Sequence, residues 1–194
     1  MKKYILIAVF SLLLTVAKGQ SYTEVYLNYL PSVPFGETAD FTSGISPRGI
    51  DFEANRFIGD DMSVGINVAW VIFREKVSPE LFELNDLDFY GTQFRYQNMV
   101  PIDIVFKKYF ITGEYTPYVG IGAGIQYVEQ RNDIGVFSLT DDKWLFHAAP
   151  ELGLLYDLTP STTLSVKAKY NYSPKSGDFP GASYLSLGIG LGLN

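Results

Sequence analysis

Every second residue of Tyr118–Val128 (YVGIGAGIQYV) is apolar and most of the residues between are glycine, and Ser183–Leu193 (SYLSLGIGLGL) repeats the arrangement. Side chains of an extended strand alternate between two faces, so Val119, Ile121, Ala123, Ile125 and Tyr127 share one side and Gly120, Gly122, Gly124 and Gln126 the other. Glycine weakens a strand interior unless another group must come close, and the inside of a small closed barrel imposes that approach. Reading the chain for the same two-residue period gives eight strands: Tyr22–Leu30, Arg48–Phe57, Met62–Phe73, Tyr90–Phe106, Pro117–Val128, Trp144–Tyr156, Thr162–Tyr172 and Ser183–Leu193.

The links between these strands alternate strictly in length. Strands two and three meet at a tight turn around Gly59-Asp60-Asp61, four and five at a link containing Thr112-Gly113-Glu114, and six and seven at Leu158–Ser161. The other four connections, Pro31–Pro47, Arg74–Phe89, Glu129–Lys143 and Ser173–Ala182, are long. This order predicts an all-β fold, an eight-stranded antiparallel up-and-down transmembrane β-barrel with short periplasmic turns and longer extracellular loops. In the second long connection, Ser78 and Pro79 are a cap and first position for a short helix with Leu81, Phe82 and Leu84 on its apolar side, expected to fold over the barrel mouth.

Alternation alone leaves a soluble, lipocalin-like barrel open, with the apolar face turned inward. Three features favour the membrane barrel. The less apolar face carries Gly65, Gly120, Gly122, Gly124, Gly153, Gly188, Gly190 and Gly192, which suit a cramped interior. Its charges nearly balance, Glu24, Asp51, Glu53, Asp103 and Glu151 against Arg95, Lys107, Lys167 and Lys169, and buried charges must pair. The apolar face ends in aromatics, Tyr29, Trp70, Tyr127, Trp144 and Tyr170 toward the long-loop rim and Phe106 and Tyr156 toward the short-turn rim, the pattern of two interfacial girdles.

Residues 1–19 read as a cleaved secretory signal peptide: Lys2 and Lys3 precede the apolar run Tyr4–Val16, and Ala17-Lys18-Gly19 is a small-x-small cleavage site before Gln20. The run falls short of the about 20 residues a membrane-spanning helix needs. Residues 20–194 then form one barrel domain. Cleavage leaves 12 Lys and Arg against 21 Asp and Glu, which disfavours nucleic acid as a partner. The chain has no cysteine, so neither a disulfide nor a thiolate metal site is expected.

The run Pro117–Gly124 after a short turn and the closing Leu187–Leu193 resemble the small eight-stranded outer-membrane barrels, the class of the outer-membrane protein A membrane domain, and particularly the outer-membrane β-barrel domain proteins of Bacteroidetes-type bacteria. The resemblance implies a bacterial outer-membrane location, a lipid-bound monomer, insertion by the barrel-assembly machinery and no cofactor. The chain departs from that pattern in ending Leu193-Asn194 rather than on an aromatic residue.

Catalytic chemistry is sparse. His147 is the only histidine, on the same inward face as Glu151, and no serine is placed beside it by the strand pattern. The Gly120-x-Gly122-x-Gly124 run precedes more strand, not the helix a nucleotide fingerprint needs. Asp86, Asp88, Asp133, Asp141 and Asp142 lie in the long connections without metal-loop spacing and read as a solvated acidic rim. The expected function is non-enzymatic, structural or a surface interaction through the extracellular loops. Two alternatives are a barrel that binds or conducts a small apolar molecule and a lipid-modifying enzyme.

Overall fold

The computed structural model describes residues 23–84, 87–111, 113–134 and 137–193. The signal peptide, its cleavage before Gln20 and the strand start at Tyr22 lie outside them. The elements run β1 (Thr23–Tyr29), β2 (Ser32–Phe35), α1 (Gly36–Phe41), β3 (Gly49–Phe57), β4 (Met62–Leu84), β5 (Leu87–Tyr109), β6 (Tyr115–Ile134), β7 (Phe137–Thr159), β8 (Thr162–Ser173) and β9 (Ala182–Leu193). All pairings are antiparallel, those from β3 to β9 join chain neighbours, and β1 pairs with both β3 and β9, which closes the ring. Strand β2 continues the line of β1 along β9, Tyr29 opposite Ile189 and Ser32 opposite Ser186, so the wall has eight positions. Pro31 interrupts that line because it has no N–H to give a neighbour.

The turns at Gly59-Asp60-Asp61 and Leu158–Ser161 stand where the sequence places them, with Gly59 at φ 80, a conformation other residues adopt at a cost, and Thr112 of the remaining short link lies outside the described residues. The long connections differ from expectation. The β4–β5 ladder continues to Leu84 opposite Leu87, and the β6–β7 ladder to Ile134 opposite Phe137. Most of Arg74–Phe89 and Glu129–Lys143 is therefore paired strand, standing above the barrel as a sheet of four.

The helix expected at Ser78–Leu84 is strand as well. The aromatic, β-favouring stretch Phe89–Phe94 offers this segment a pairing partner, and Ser78-Pro79 falls in the register shift between Val77 and Glu80, where a proline need not donate to a ladder. Other parts of the chain fill the mouth instead. Helix α1 follows β2, with Thr38 and Thr42 buried, and Phe179 of the β8–β9 connection is buried too.

The same four strands change the character of their outward face at one level. Below it, β4 points out Ile66, Val68 and Trp70, β5 Ile104 and Ile102, β6 Ile121, Ile125 and Tyr127, and β7 Phe146 and Trp144. Above it, the same parity gives Arg74 and Lys76, Asn98, Tyr96 and Phe94, Glu129, Arg131 and Asp133, then Asp142, Thr140 and Ser138. An apolar belt thus ends abruptly along a line of aromatic rings.

Candidate functional site

The lumen is filled in three storeys, each built from inward positions of the alternating strands. At the short-turn end Tyr26, Tyr109, Tyr118 and Leu155 pack with Phe57. Tyr109 stacks on Phe57 at 5.1 Å and shares a 3.0 Å hydrogen bond with Ser63, and Tyr26 donates to Glu24 at 2.5 Å. At the loop end Leu30, Val71, Phe73, Met99, Val128, Leu145, Phe179 and Tyr184 form a second apolar plug.

Between the plugs lie the charges. Lys107 contacts Glu53 and stands 3.2 Å from Glu151. Lys167 reaches Asp51 at 2.7 Å and Glu53 at 2.9 Å. Lys169 donates to Asn67 at 2.6 Å, with Asp103 at 3.8 Å and Asp51 at 3.9 Å. Amides complete the carboxylates: Asn28 and Asn67 donate to the two oxygens of Asp51, at 2.8 and 2.5 Å, and Asn55 to Glu53 at 2.5 Å. His147 Nδ1 lies 2.7 Å from Asp103 Oδ1. Desolvating these ions costs several kcal/mol each, which only close pairing and filled lone pairs offset.

Two of the glycines in the opening motif have a direct role in this packing. Gly124 stands in register between Asp103 on β5 and His147 on β7, and Gly120 between Lys107 and Glu151. A Cβ at Gly124 would sit 2.0 Å from the Ile102 carbonyl oxygen, and one at Gly120 about 3.0 Å from the Glu151 side chain. With no side chain on β6, groups on β5 and β7 meet across it.

Of the nine charged residues read as inward, Asp51, Glu53, Asp103, Lys107, Glu151, Lys167 and Lys169 come together. Glu24 belongs to the lower storey, on Tyr26. Arg95 does not join. It lies on β5 above the belt, over the Phe41 ring at 5.7 Å and within 3.5 Å of the Phe41 carbonyl, because its strand extends beyond the lumen. The aromatics Tyr29, Trp70, Tyr127, Trp144, Phe106, Tyr156 and Tyr170 all point outward, and Tyr127 and Trp144 are cross-strand partners with rings 5.4 Å apart. The asparagines were the part missed; each has inward parity, but only the closed ring shows which carboxylate it reaches.

The His147–Asp103 pair could orient an imidazole for base chemistry, yet its surroundings are those of a sealed interior. His147 is fully buried, and its Nε2 has no hydrogen-bond partner among the described residues. Ser173, at the end of β8, gives its hydroxyl to Gln126 at 3.0 Å. Among the described residues no nucleophile is hydrogen-bonded to the ring. On the rim, Asp133 is tied to Arg131 at 3.0 Å and Ser138 at 2.6 Å rather than grouped with other acids, and Asp86 and the side chain of Asp88 lie outside the described residues.

No protein-family model matches the sequence, and no curated protein does. Solved structures do match the fold. Neisserial surface protein A is 14% identical with TM-score 0.60, over 90% of this chain and 99% of that one. The outer membrane protein OprG from Pseudomonas aeruginosa is 13% identical with TM-score 0.53, over 88% and 94%. The outer membrane protease OmpT from Escherichia coli is 8% identical with TM-score 0.50, over 89% and 96%. At such identities the likeness shows the barrel fold alone. Since one of these barrels is a protease, the fold does not decide between catalysis and its absence.

Proposed function

We infer that the protein is an integral β-barrel of the bacterial outer membrane, of the Bacteroidetes type its glycine-alternating strands resemble, delivered by its signal peptide and acting without catalysis. Its role is structural or a surface interaction, carried by the sheet that stands above the barrel. The observation that carries this reading is the change of outward face at the aromatic line. A water-exposed strand has no reason to show only apolar side chains for part of its length and mostly polar and charged ones beyond it, whereas a strand leaving hydrocarbon for water does. The interior charges support it as well, because they are paired and buried rather than solvated.

Fractionation tests the location: the protein should stay with the outer membrane through an alkaline wash and migrate faster in gels when unheated. Release by the wash would reject it. The filled lumen argues against conduction and against an apolar ligand inside, so purified protein in planar bilayers should give no stable open steps. The enzymatic reading rests on His147 and Asp103 alone; His147→Gln should leave any surface binding unchanged, and its loss with folding intact would reopen that reading.

A further inference from the structure

Basic side chains crowd one sector of the outward face just above the aromatic line. Arg74 and Lys76 continue the outward column of β4 above Trp70 and Ile72, in steps of about 7 Å. Arg48 stands beside them, its carbonyl accepting from the Ile72 N–H at 3.0 Å. The next strands supply a shelf of rings. The Arg74 guanidinium lies 5.4 Å from both the Phe94 and Tyr96 centroids, Lys76 5.9 Å from Phe94, and Arg131 4.7 Å from Tyr96. A ring face holds a cation in place without consuming its N–H donors. Among the described residues no carboxylate forms an ion pair with Arg48, Arg74 or Lys76.

Directly below, the wall is hollowed. A recess of about 200 Å³ is lined by Arg48, Gly49, Ile50, Trp70 and Ile72. It shares Ile50 and Trp70 with a second recess of about 340 Å³ that runs down the belt past Phe52, Val68 and Leu27. Cations above a continuous apolar track complement an amphiphile with an anionic head and an acyl chain. The opposite sector of the same line has the reverse charge: beside Trp144, Glu129 and Asp142 are direct cross-strand partners.

We propose that Arg48, Arg74 and Lys76, with the track beneath Ile50 and Trp70, form a binding site for a phosphate-bearing lipid of the outer leaflet, the phosphate on the basic row and one acyl chain in the track. The site rests on the membrane placement proposed above, and its test separates the two. The chain has two tryptophans, one in each sector, Trp70 at the basic row and Trp144 at the acidic pair. Trp144→Phe and Trp70→Phe variants each leave one fluorophore. Both are reconstituted into phosphatidylcholine vesicles in which either the phosphatidylcholine or a minor fraction of phosphatidic acid carries brominated acyl chains, which quench on contact.

Trp70 should be quenched several-fold more effectively per molecule by brominated phosphatidic acid than by brominated phosphatidylcholine. Trp144 should show no such preference. The triple variant Arg48→Gln, Arg74→Gln, Lys76→Gln should bring Trp70 to the level of Trp144 while its heat-modifiable migration stays unchanged. Equal quenching at both tryptophans, or a preference that survives the triple variant, overturns the site. Loss of the preference in excess inorganic phosphate would assign the row to a free anion and overturn the lipid assignment. Failure of either brominated lipid to quench either tryptophan would instead reject the membrane placement.

Discussion

Strands β4 to β7 build two regions in one unbroken run of backbone, the lumen wall below the aromatic line and the free-standing sheet above it. Below, each strand has hydrogen-bonding neighbours on both sides and an interior packed with paired charge. Above, the ring is open. The β7–β8 ladder stops at Ala148 opposite Tyr172, while β7 itself runs on to Phe137, so Phe137–Leu145 has a ladder partner on the β6 side only among the described residues. The side chains change with the surroundings, not the secondary structure. Alternation sets the strand, and what each face meets decides whether Ile66 or Arg74 can occupy an outward position.

The largest effect that would break this contrast is in the lumen. Lys167→Met leaves Asp51 and Glu53 buried with a cation removed, and breaking such a pair costs about 3–5 kcal/mol. The chemically similar Arg74→Met, on the upper sheet, should stay within about 0.5 kcal/mol. Urea unfolding of the two variants in the same detergent reads both numbers. Comparable midpoints would mean that the interior charges are solvated, and the filled-lumen account would fall.

A second pair of substitutions sharpens the boundary. Ile121→Arg, in the belt, should destabilise the barrel by about 2–4 kcal/mol in lipid, whereas Thr140→Arg, outward on the upper sheet, should cost close to nothing. Both introduce the same group on the same face of adjoining strands. Equal costs in vesicles would remove the reason to place hydrocarbon beside one and water beside the other.

What the sequence disclosed follows the same division. Strand order, inward parity and the identity of seven of the central charged residues were legible, because a two-residue period is a local property and a closed wall forces inward charges together. The upper sheet was not. Gly, Pro and Asp in Arg74–Phe89 and Glu129–Lys143 look like loop punctuation, and nothing local says that Glu80 finds Gly91 or that Pro79 lies in a register shift. Arg95 failed for a related reason: its parity is inward, but its height along the strand places it above the lumen. The Asp103–His147 contact depends on Gly124 lying between two strands, a relation that appears only when three ladders are in register.

The outer part of the β4–β5 hairpin in the upper sheet should be removable. Replacing Ser78–Thr92 by a two-residue Asn-Gly turn joins Val77 to Gln93, which already face each other across the ladder, and closes a shorter loop. Barrel stability should change by less than about 1 kcal/mol, and heat-modifiable migration should persist. Any cell-surface binding that depends on this hairpin should be lost, while the β6–β7 half of the upper sheet stays in place. A trimmed protein that fails to fold would show that the upper hairpin is part of the barrel's own stability.

The smallest effect lies where the two regions join. Glu75, on β4 above the belt, accepts the Ser43 N–H at 2.8 Å and its hydroxyl at 2.6 Å, tying the first long connection to the rising sheet. These hydrogen bonds hold its carboxyl below the usual range, with burial opposing and the Arg95 charge helping less. A carboxyl depressed by folding favours the folded form above its unfolded pKa and loses that contribution as pH falls through the folded value. The tether should therefore hold at neutral pH and loosen in acid. The protection of the Ser43 amide, taken relative to its intrinsic exchange rate at each pH, should fall as Glu75 is protonated in the native protein. In Glu75→Gln that protection should already be lower at neutral pH and show no acid step from this group. The barrel ladder, closed on both sides at every strand, should keep its protection throughout. Parallel loss of protection in lumen strands over the same pH range would mean that the two regions open as one cooperative unit, and the division drawn between them would fail.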